Sequence, residues 1–267
     1  MTRSKKKKTF FYRVTLWGLV FISAPILIWG ALIWNRVSEV DLLKASYYPH
    51  LKIRGLKEAP EISLEKSRPK DWVSINAVSK VAVGAIIVSE DWAFYSHSGV
   101  DLRQLREAIE LDWKEKRFVR GASTITQQVA KNIFLTRQKS LVRKVEELIL
   151  TLKLEQSLSK RKILELYLNI AEWGPGVFGI QRASQYYFKK NPSELNAKEG
   201  AFLAMLLPSP IRYGESYRQK TLTPYARERI HILLERMVEA GYLSENELIA
   251  EISRVLPFDQ SPLNSTQ

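Results

Sequence analysis

The stretch "GASTITQQVAKN", residues 121–132, combines a helical apolar pattern with an unusual number of hydrogen-bonding side chains. Ile125, Val129 and Ile133 recur at four-residue spacing, which predicts a helix with one buried face. The other positions carry hydroxyls, amides and an ammonium group that the buried face does not use. The pattern therefore predicts a helix with one buried apolar face and an unusually polar opposite side.

Composition sets the class of the protein. The chain has 267 residues, 45% of them hydrophobic, which is enough to bury a full core. It has no cysteine and only three histidines, so a disulfide framework and a Cys/His zinc site are excluded. Any metal site would need carboxylate ligands. The formal net charge is +13, which indicates an anionic partner.

The N-terminal region predicts a membrane anchor. Residues 14–34, "VTLWGLVFISAPILIWGALIW", contain no ionisable side chain and would form about 31 Å of helix, enough to cross a bilayer. A cleaved signal peptide is the alternative, but its apolar region spans only about 7–15 residues. Six cations and no acid precede the span, which predicts a cytoplasmic N-terminus and an exported remainder.

We therefore divide the chain into a cytoplasmic basic tail (1–13), a transmembrane helix (14–34), a connector of little regular structure (35–71) and one exported domain (72–267). Without the seven cations up to Arg36, the exported part keeps 34 basic and 28 acidic residues, a net charge of +6. Such a surplus suits an anionic membrane surface or a phosphate-bearing ligand, and the location argues against nucleic acid.

The exported domain has helical periods and no convincing strand alternation, which predicts an all-α fold. The predicted helices are an apolar one over 77–89, one over 101–116 capped by Asp101, one starting at Ser123 or Thr124, the long amphipathic one over 138–157 and one capped by Ser159. The second helix is predicted to place Leu102, Leu105 and Ile109 on its inner face. The fourth carries an apolar stripe of Leu141, Val145, Leu148, Ile149 and Leu152. Asn196 with Glu199 and Ser244 with Glu247 fit reciprocal capping boxes, and Gly241 is predicted to end a helix that begins near Tyr225.

Glu90 and Asp91 form an acid pair at the end of the very apolar helix. Burial of a carboxyl group raises its pKa and makes it a better general base near neutral pH. The alternative is a solvated or capping acid pair, which is the commoner case. His97, Gly99 and Asp101 follow in a compact turn that folds back near the acids, with His97 more typical of a hydrogen-bonded structural residue than of a base.

A second acid, Glu147, follows Arg143 by four residues in "RKVEE". Alone, this pair is typical of an ordinary surface ion pair on a helix, worth a few tenths of a kcal/mol.

Four motifs together resemble one family. "EDWAFYSHSGVD", "GASTITQQVAKN", "RKVEE" and "SKRKILELYLNIAEWGPGVFGIQRASQYYF" occur in the order and spacing of the peptidoglycan glycosyltransferases that polymerise lipid II, over residues 70–212. The segment "NIAEWGPGVFG" is most similar to the monofunctional biosynthetic enzymes of Gram-negative inner membranes. A transpeptidase domain is not expected, because Ser157 and Lys160 match its Ser-x-x-Lys motif but no Lys-Thr-Gly exists in the chain.

The resemblance implies roles for particular residues. Glu90 matches the general base and Glu147 the second essential carboxylate, on the donor side. Lys131 and Lys139 occupy positions where the family places cations against the diphosphate, although many relatives carry arginine where Lys139 stands. The other implied substrate contacts are Arg143, Lys144, Ser123, Thr124, Gln127, Gln128 and Asn132, and the implied supporting residues are Asp91, His97, Gly99 and Asp101.

The resemblance also implies a lysozyme-like helical fold with a cleft and a small membrane-proximal lobe. No cofactor is required, and a divalent cation (Mg²⁺ or Mn²⁺) near Glu147 is left open. The implied partners are lipid II, a polyprenyl-diphosphate-linked glycan and membrane lipid, with cell-division or wall-synthesis proteins as further candidates. Two other functions remain open: a lytic transglycosylase or muramidase that cleaves glycan, and an inactive membrane-anchored scaffold.

Overall fold

The computed structural model describes residues 23–24, 27–53, 55, 60–115, 123–136 and 140–261. This part of the chain is mostly helical, as predicted. The helices are α1 (27–44), α2 (Lys80–Glu90), α3 (Leu102–Glu115), α4 (Ile125–Phe134), α5 (Leu141–Ser157), α6 (Lys160–Ile170), α7 (Ile180–Phe188), α8 (Ala197–Leu206), α9 (Pro210–Tyr213), α10 (Glu215–Gln219), α11 (Pro224–Glu239) and α12 (Glu245–Ser253). Short 3₁₀ turns occupy Ile75–Ala77 and Pro192–Glu194.

Two antiparallel hairpins correct the expectation of a fold without strands. β1 (Tyr48–Lys52) pairs with β2 (Glu61–Glu65), and β3 (Glu172–Gly174) pairs with β4 (Val177–Phe178). The segment 35–71, predicted to have little regular structure, contains the second half of α1 and the first hairpin. Polar and apolar residues do alternate along the five residues of β2, so the strand period was present in the sequence but in a short run.

The predicted transmembrane helix is described only in part. Residues 14–22 and 25–26 lie outside the described residues, whereas 27–34 form the first half of α1. Over the residues that the structure covers, no helix is both long enough and apolar enough to cross a bilayer.

The core is built around α2. Residues 82–88 of this helix are all buried, as a helix that is apolar all round requires. It packs against α8 and α11. The approach to α8 depends on Gly200, because a Cβ there would lie 2.6 Å from the Cα of Ala82. The end of α2, which carries Glu90, is thereby fixed by the body of the domain.

A second layer consists of α4, α5 and α6. Ile125 and Val129 are fully buried and Ile133 is half-buried, so the predicted inner stripe of α4 is confirmed. The two capping boxes predicted on α8 and α12 are confirmed as well, and Gly241, with φ +73°, follows the end of α11.

The predicted inner face of α3 is wrong, and the apolar stripe of α5 lies mostly at the surface. Leu102, Leu105 and Ile109 of α3 are exposed, as are Leu141, Val145, Leu148 and Leu152 of α5, while Ile149 is half-buried. The buried face of α5 instead carries Glu147, Leu150, Thr151 and Leu154. The apolar stripe of each helix is real, but the protein core does not cover it.

Candidate active site

Glu90 is the last residue of α2 and is half-buried at the edge of the core. Its Oε2 accepts a hydrogen bond of 2.7 Å from Nε2 of Gln128 on α4, and the Tyr167 hydroxyl of α6 lies 3.4 Å from the same oxygen. Burial raises the pKa of Glu90, while these two hydrogen bonds and the charge of Lys131 oppose the rise. Glu90 is therefore a carboxylate fixed by hydrogen bonds and with a raised pKa, which suits a general base.

Asp91 has a different environment from its neighbour. Its side chain is fully buried, with Oδ1 2.8 Å from Nε2 of His97 and Oδ2 accepting the backbone N–H of Ile125 at 3.0 Å. Nδ1 of His97 accepts the backbone N–H of Gly99 at 3.1 Å, so the proton of the neutral ring is on Nε2 and is donated to Asp91. Asp91 therefore ties the end of α2 to the positive N-terminus of α4.

The turn after Asp91 packs against α5 and the start of α4. Gly99 has φ +90°, and a Cβ at this position would lie 2.7 Å from Cγ2 of Thr151. Its carbonyl accepts a 2.6 Å hydrogen bond from the Thr124 hydroxyl, which joins the turn to the start of α4. Asp101 caps α3 as predicted, with Oδ1 accepting the backbone N–H of Gln104 at 2.9 Å.

The polar residues of α4 divide into two groups. Thr124 is the N-cap and forms a capping box with Gln127, and both side chains are buried at the helix start. Thr126 is also engaged, donating to Oε1 of Glu155 at 2.5 Å. The other predicted contact residues lie at accessible positions: Ser123 and Asn132 are exposed, and Gln128 and Lys131 are half-buried.

Glu147 lies on the buried face of α5 with only 4% of its side chain exposed. Its Oε2 is 3.2 Å from Nη1 of Arg143, and its Oε1 pairs with the Lys144 ammonium. The Arg143 Nε is buried and has no hydrogen-bond partner among the described residues. The Glu147 carboxylate and the Arg143 guanidinium are thus more buried than in an ordinary surface ion pair, and the buried Arg143 Nε is a spare donor that is costly unless a ligand satisfies it.

Lys131 links the two carboxylates electrostatically. Burial lowers the pKa of its ammonium group, and the positive charges of Arg143 and Lys144 lower it further. The carboxylates of Glu147 and Glu90 both act in the opposite direction, so Lys131 is close enough to sense each of them. The structure therefore brings Lys131, Arg143 and Lys144 together near Glu147, and Lys131 is also near enough to Glu90 for their charges to interact. Lys139 lies outside the described residues.

The residues around Glu147 do not fit a divalent cation. Both of its oxygens are already paired with cations, and no cluster of three or more acid or histidine ligands exists among the described residues. A Mg²⁺ or Mn²⁺ ion needs several oxygen ligands and is repelled by adjacent ammonium and guanidinium groups. The positive charge of this site comes from side chains.

Sequence reasoning missed Tyr167 as a site residue. It is fully buried on α6, and its hydroxyl contacts both Glu90 and Oε1 of Gln128 at 3.4 Å. Burial and the neighbouring Glu90 carboxylate hold the pKa of this phenol well above its usual value, so it stays protonated and can donate. The motif "ELYLNIAEW" contained it, but its position gave no sign that it reaches an acid 77 residues away.

This arrangement has a definite chemical capacity. A held carboxylate of raised pKa can take a proton from a neutral hydroxyl, and a cluster of three cations can stabilise an anionic group that departs nearby. Both functions are needed when an alcohol displaces a diphosphate.

Comparison with known proteins agrees with this chemistry. Residues 57–238 match a family model described as Transglycosylase. The chain is 40% identical to a biosynthetic peptidoglycan transglycosylase of Paraburkholderia xenovorans, over 77% of this chain and 81% of that protein. It is 45% identical to one from Cronobacter sakazakii, over 64% and 69%. It is also 37% identical to penicillin-binding protein 1A of Aquifex aeolicus, over 69% of this chain but only 25% of that protein.

Proposed function

Because the chain belongs to the transglycosylase family, we propose that it polymerises lipid II into linear peptidoglycan glycan strands. The enzyme is a glycosyltransferase of cell-wall synthesis, and its donor is a growing glycan carried on a polyprenyl diphosphate. The observation that carries this proposal is the half-buried Glu90 carboxylate, which accepts a hydrogen bond from Gln128 and interacts electrostatically with Lys131, one of the three cations near Glu147.

The reaction is a single displacement with inversion. The 4-hydroxyl oxygen of the lipid II GlcNAc forms a bond to C1 of the donor sugar, and the bond from C1 to the diphosphate oxygen breaks. Glu90 takes the hydroxyl proton as the new bond forms. The diphosphate leaves as an anion and needs no strong acid to protonate it.

The cations next to Glu147 stabilise the leaving group. Lys131, Arg143 and Lys144 supply positive charge where the negative charge grows, and the spare Arg143 Nε offers a donor to a phosphate oxygen. Glu147 keeps Arg143 and Lys144 in place and limits their mutual repulsion. Ser123, just before α4, and Asn132 on α4 are both exposed, and we propose that they contact the donor's sugar or diphosphate.

We also propose that the enzyme works at the inner membrane, with a cytoplasmic N-terminus, a single membrane-spanning helix and a periplasmic catalytic domain of lysozyme-like fold. The exposed apolar faces of α3 and α5 support a membrane-proximal lobe, because surfaces of this kind indicate contact with lipid or protein. Trp113 of α3 is 86% exposed, which suits the aromatic preference of the membrane interface. Both substrates carry lipid tails, so a tethered enzyme meets them at a high effective concentration.

The rival function is cleavage of finished glycan by a lytic enzyme. A cleaving enzyme has no diphosphate to bind, so the cation cluster beside Glu147 favours synthesis. The test is incubation of the detergent-solubilised protein with labelled lipid II and, separately, with purified sacculi. We expect polymer from lipid II and no soluble fragments from sacculi; the reverse result would exclude the proposal, and inactivity in both would favour the scaffold.

Glu90→Gln assigns the base in the same assay. We expect it to abolish polymerisation, whereas Asp71→Asn, at an exposed ion pair with Arg182, should retain it. Polymerisation by Glu90→Gln at the wild-type rate would show that the base is another group.

A further inference from the structure

Three faces of α5 have different surroundings. Successive residues of an α-helix are separated by about 100°, so the consecutive residues Glu146 and Glu147 project from different sides of α5. Glu147 is on the core face with Leu150 and Leu154. The exposed apolar stripe, with Leu148 and its neighbours, lies on the opposite side. Glu146 lies between these two faces, on the side turned to α1.

Among the described residues, Glu146 forms its hydrogen bond and its ion pair with α1. Its Oε1 accepts a 2.9 Å hydrogen bond from Nε1 of Trp29, and its Oε2 forms a 2.6 Å ion pair with Nη1 of Arg36. Further along the two helices, Asp41 pairs with Lys153 at 2.9 Å and accepts a weak 3.5 Å hydrogen bond from Ser157. Both oxygens of Glu146 are therefore committed to one helix.

The same face of α1 continues into the core. Trp29, Ile33, Arg36, Val40 and Leu43 recur at spacings of three and four residues, and Ile33, Val40 and Leu43 are buried. Its contacts with Glu146 are consequently part of a docked helix surface. They differ from the surface pair Arg106 with Glu110 on α3, where the side chains are 83% and 65% exposed, against 31% for Arg36 and 12% for Glu146.

We propose that Glu146 is a positioning residue for glycosyl transfer, which fastens α1 to α5 and thereby holds the Arg143 and Lys144 cations where the diphosphate departs. The inference rests on the proposed function. Glu146 touches no reacting group; it acts through α5, which carries Glu147 and both cations within one turn. It also connects the site to α1, the helix that continues from the predicted membrane span.

Loss of this fastening has a defined kinetic signature. A hydrogen bond to a charged group is stronger where water is excluded, and a partly exposed pair contributes less. We expect Glu146→Gln and Arg36→Gln each to lower kcat for lipid II polymerisation about tenfold. The acid limb of the pH–rate profile should stay in place, because Glu90 is untouched. The double variant should be no slower than either single variant, since both changes break the same contact.

The kinetic experiment compares these variants with a charge exchange, Arg36→Glu with Glu146→Arg, and with a matched control, Arg106→Gln with Glu110→Gln. The exchange restores the ion pair and should recover part of the lost rate, while the control should stay within twofold of wild type. Circular dichroism melts of each variant identify any that fail to fold. Wild-type kcat in folded Glu146→Gln, or no recovery in the exchange variant, would overturn the proposal.

A distance measurement tests the mechanism independently of activity. The chain has no cysteine, so Ser38→Cys on α1 and Gln156→Cys on α5 place two spin labels at exposed positions and nowhere else. In bilayers we expect a narrow distribution of label distances, which broadens when Glu146→Gln is added. An unchanged distribution would overturn the proposal even if kcat falls. If the unsubstituted enzyme does not polymerise lipid II, the proposed function fails instead, and the distances still report whether Glu146 fastens α1.

Discussion

Asp91→Asn is expected to destabilise the domain, because two donors converge on the Asp91 carboxylate. One is Nε2–H of His97 and the other is the backbone N–H of Ile125. The amide oxygen of an asparagine can accept only one of them comfortably, and its NH₂ group must face the other. A change of tautomer does not solve the problem, because Nδ1 of His97 already accepts the N–H of Gly99.

The expected cost follows from these contacts. A buried donor left unpaired costs about 1–3 kcal/mol. Loss of the negative charge at the N-terminus of α4 costs a further ~0.3–1 kcal/mol. The free energy of unfolding should therefore fall by about 1.3–4 kcal/mol in total. Polymerisation should also slow, because Gln128, which holds Glu90, begins the second turn of α4.

The measurement is denaturant unfolding followed by circular dichroism in detergent, at pH 7. The matched control is Asp71→Asn, which removes the same charge from an exposed ion pair and should change the free energy of unfolding by less than about 1 kcal/mol. Equal stabilities for the two variants would refute the argument that Asp91 is a buried tie between α2 and α4.

Three further outcomes test the site and its surroundings. Glu90→Gln should lower kcat by about 10²–10⁴-fold, the usual contribution of a general base. It should also be more stable than wild type at pH 7. Burial raises the pKa of Glu90 in the folded state above its ordinary value of 4.5, so the wild-type protein loses stability as the pH rises through the interval between the two pKa values. The advantage of the variant should therefore vanish below pH 4.5. Thermal melts at several pH values measure this, and an unchanged difference at all pH values would contradict it. Tyr167→Phe removes a hydrogen bond that lowers the pKa of Glu90, so the acid limb of the pH–rate profile should move to higher pH; a fixed limb would contradict the assigned contact. Leu148→Asp should slow polymerisation more in vesicles than in detergent, whereas Ile249→Asp, at another exposed position, should not, and equal effects would argue against a lipid-facing α5.

Local patterns in the sequence were enough to predict the helix starts. Asp101, Ser159, Asn196 and Ser244 cap helices as predicted, because capping needs only residues within one turn. The end of α2 at an acid pair was predictable for the same reason. The pairing of β1 with β2 was not predicted from the sequence. It depends on contacts between two segments that are not contiguous in the chain, and each strand alone is only five residues long.

The division of labour between Glu90 and Asp91 needed tertiary structure. Both acids follow the same apolar helix, and sequence alone gave each the same environment. Their difference arises from segments far along the chain: Gln128 and Tyr167 contact Glu90, and Ile125 contacts Asp91. The family resemblance pointed to Glu90 through its place in a motif. The three-dimensional contacts show how its environment differs from that of Asp91.

The apolar stripe of α5 was visible in the sequence, but what covers it was not. A periodic apolar stripe indicates that one helix face avoids water, but it does not indicate whether protein or lipid covers that face. On α5 the core took the face with Leu150 and Leu154 and left the stripe around Leu148 exposed. At about 100° per residue, Lys144 projects between these two faces, and its side chain is 51% exposed. If lipid covers the stripe, as proposed, Lys144 lies at the level where a membrane ends and a lipid-linked diphosphate begins. The exposed stripe of α5 is then the feature that brings the cations of the site to the headgroup of their substrate.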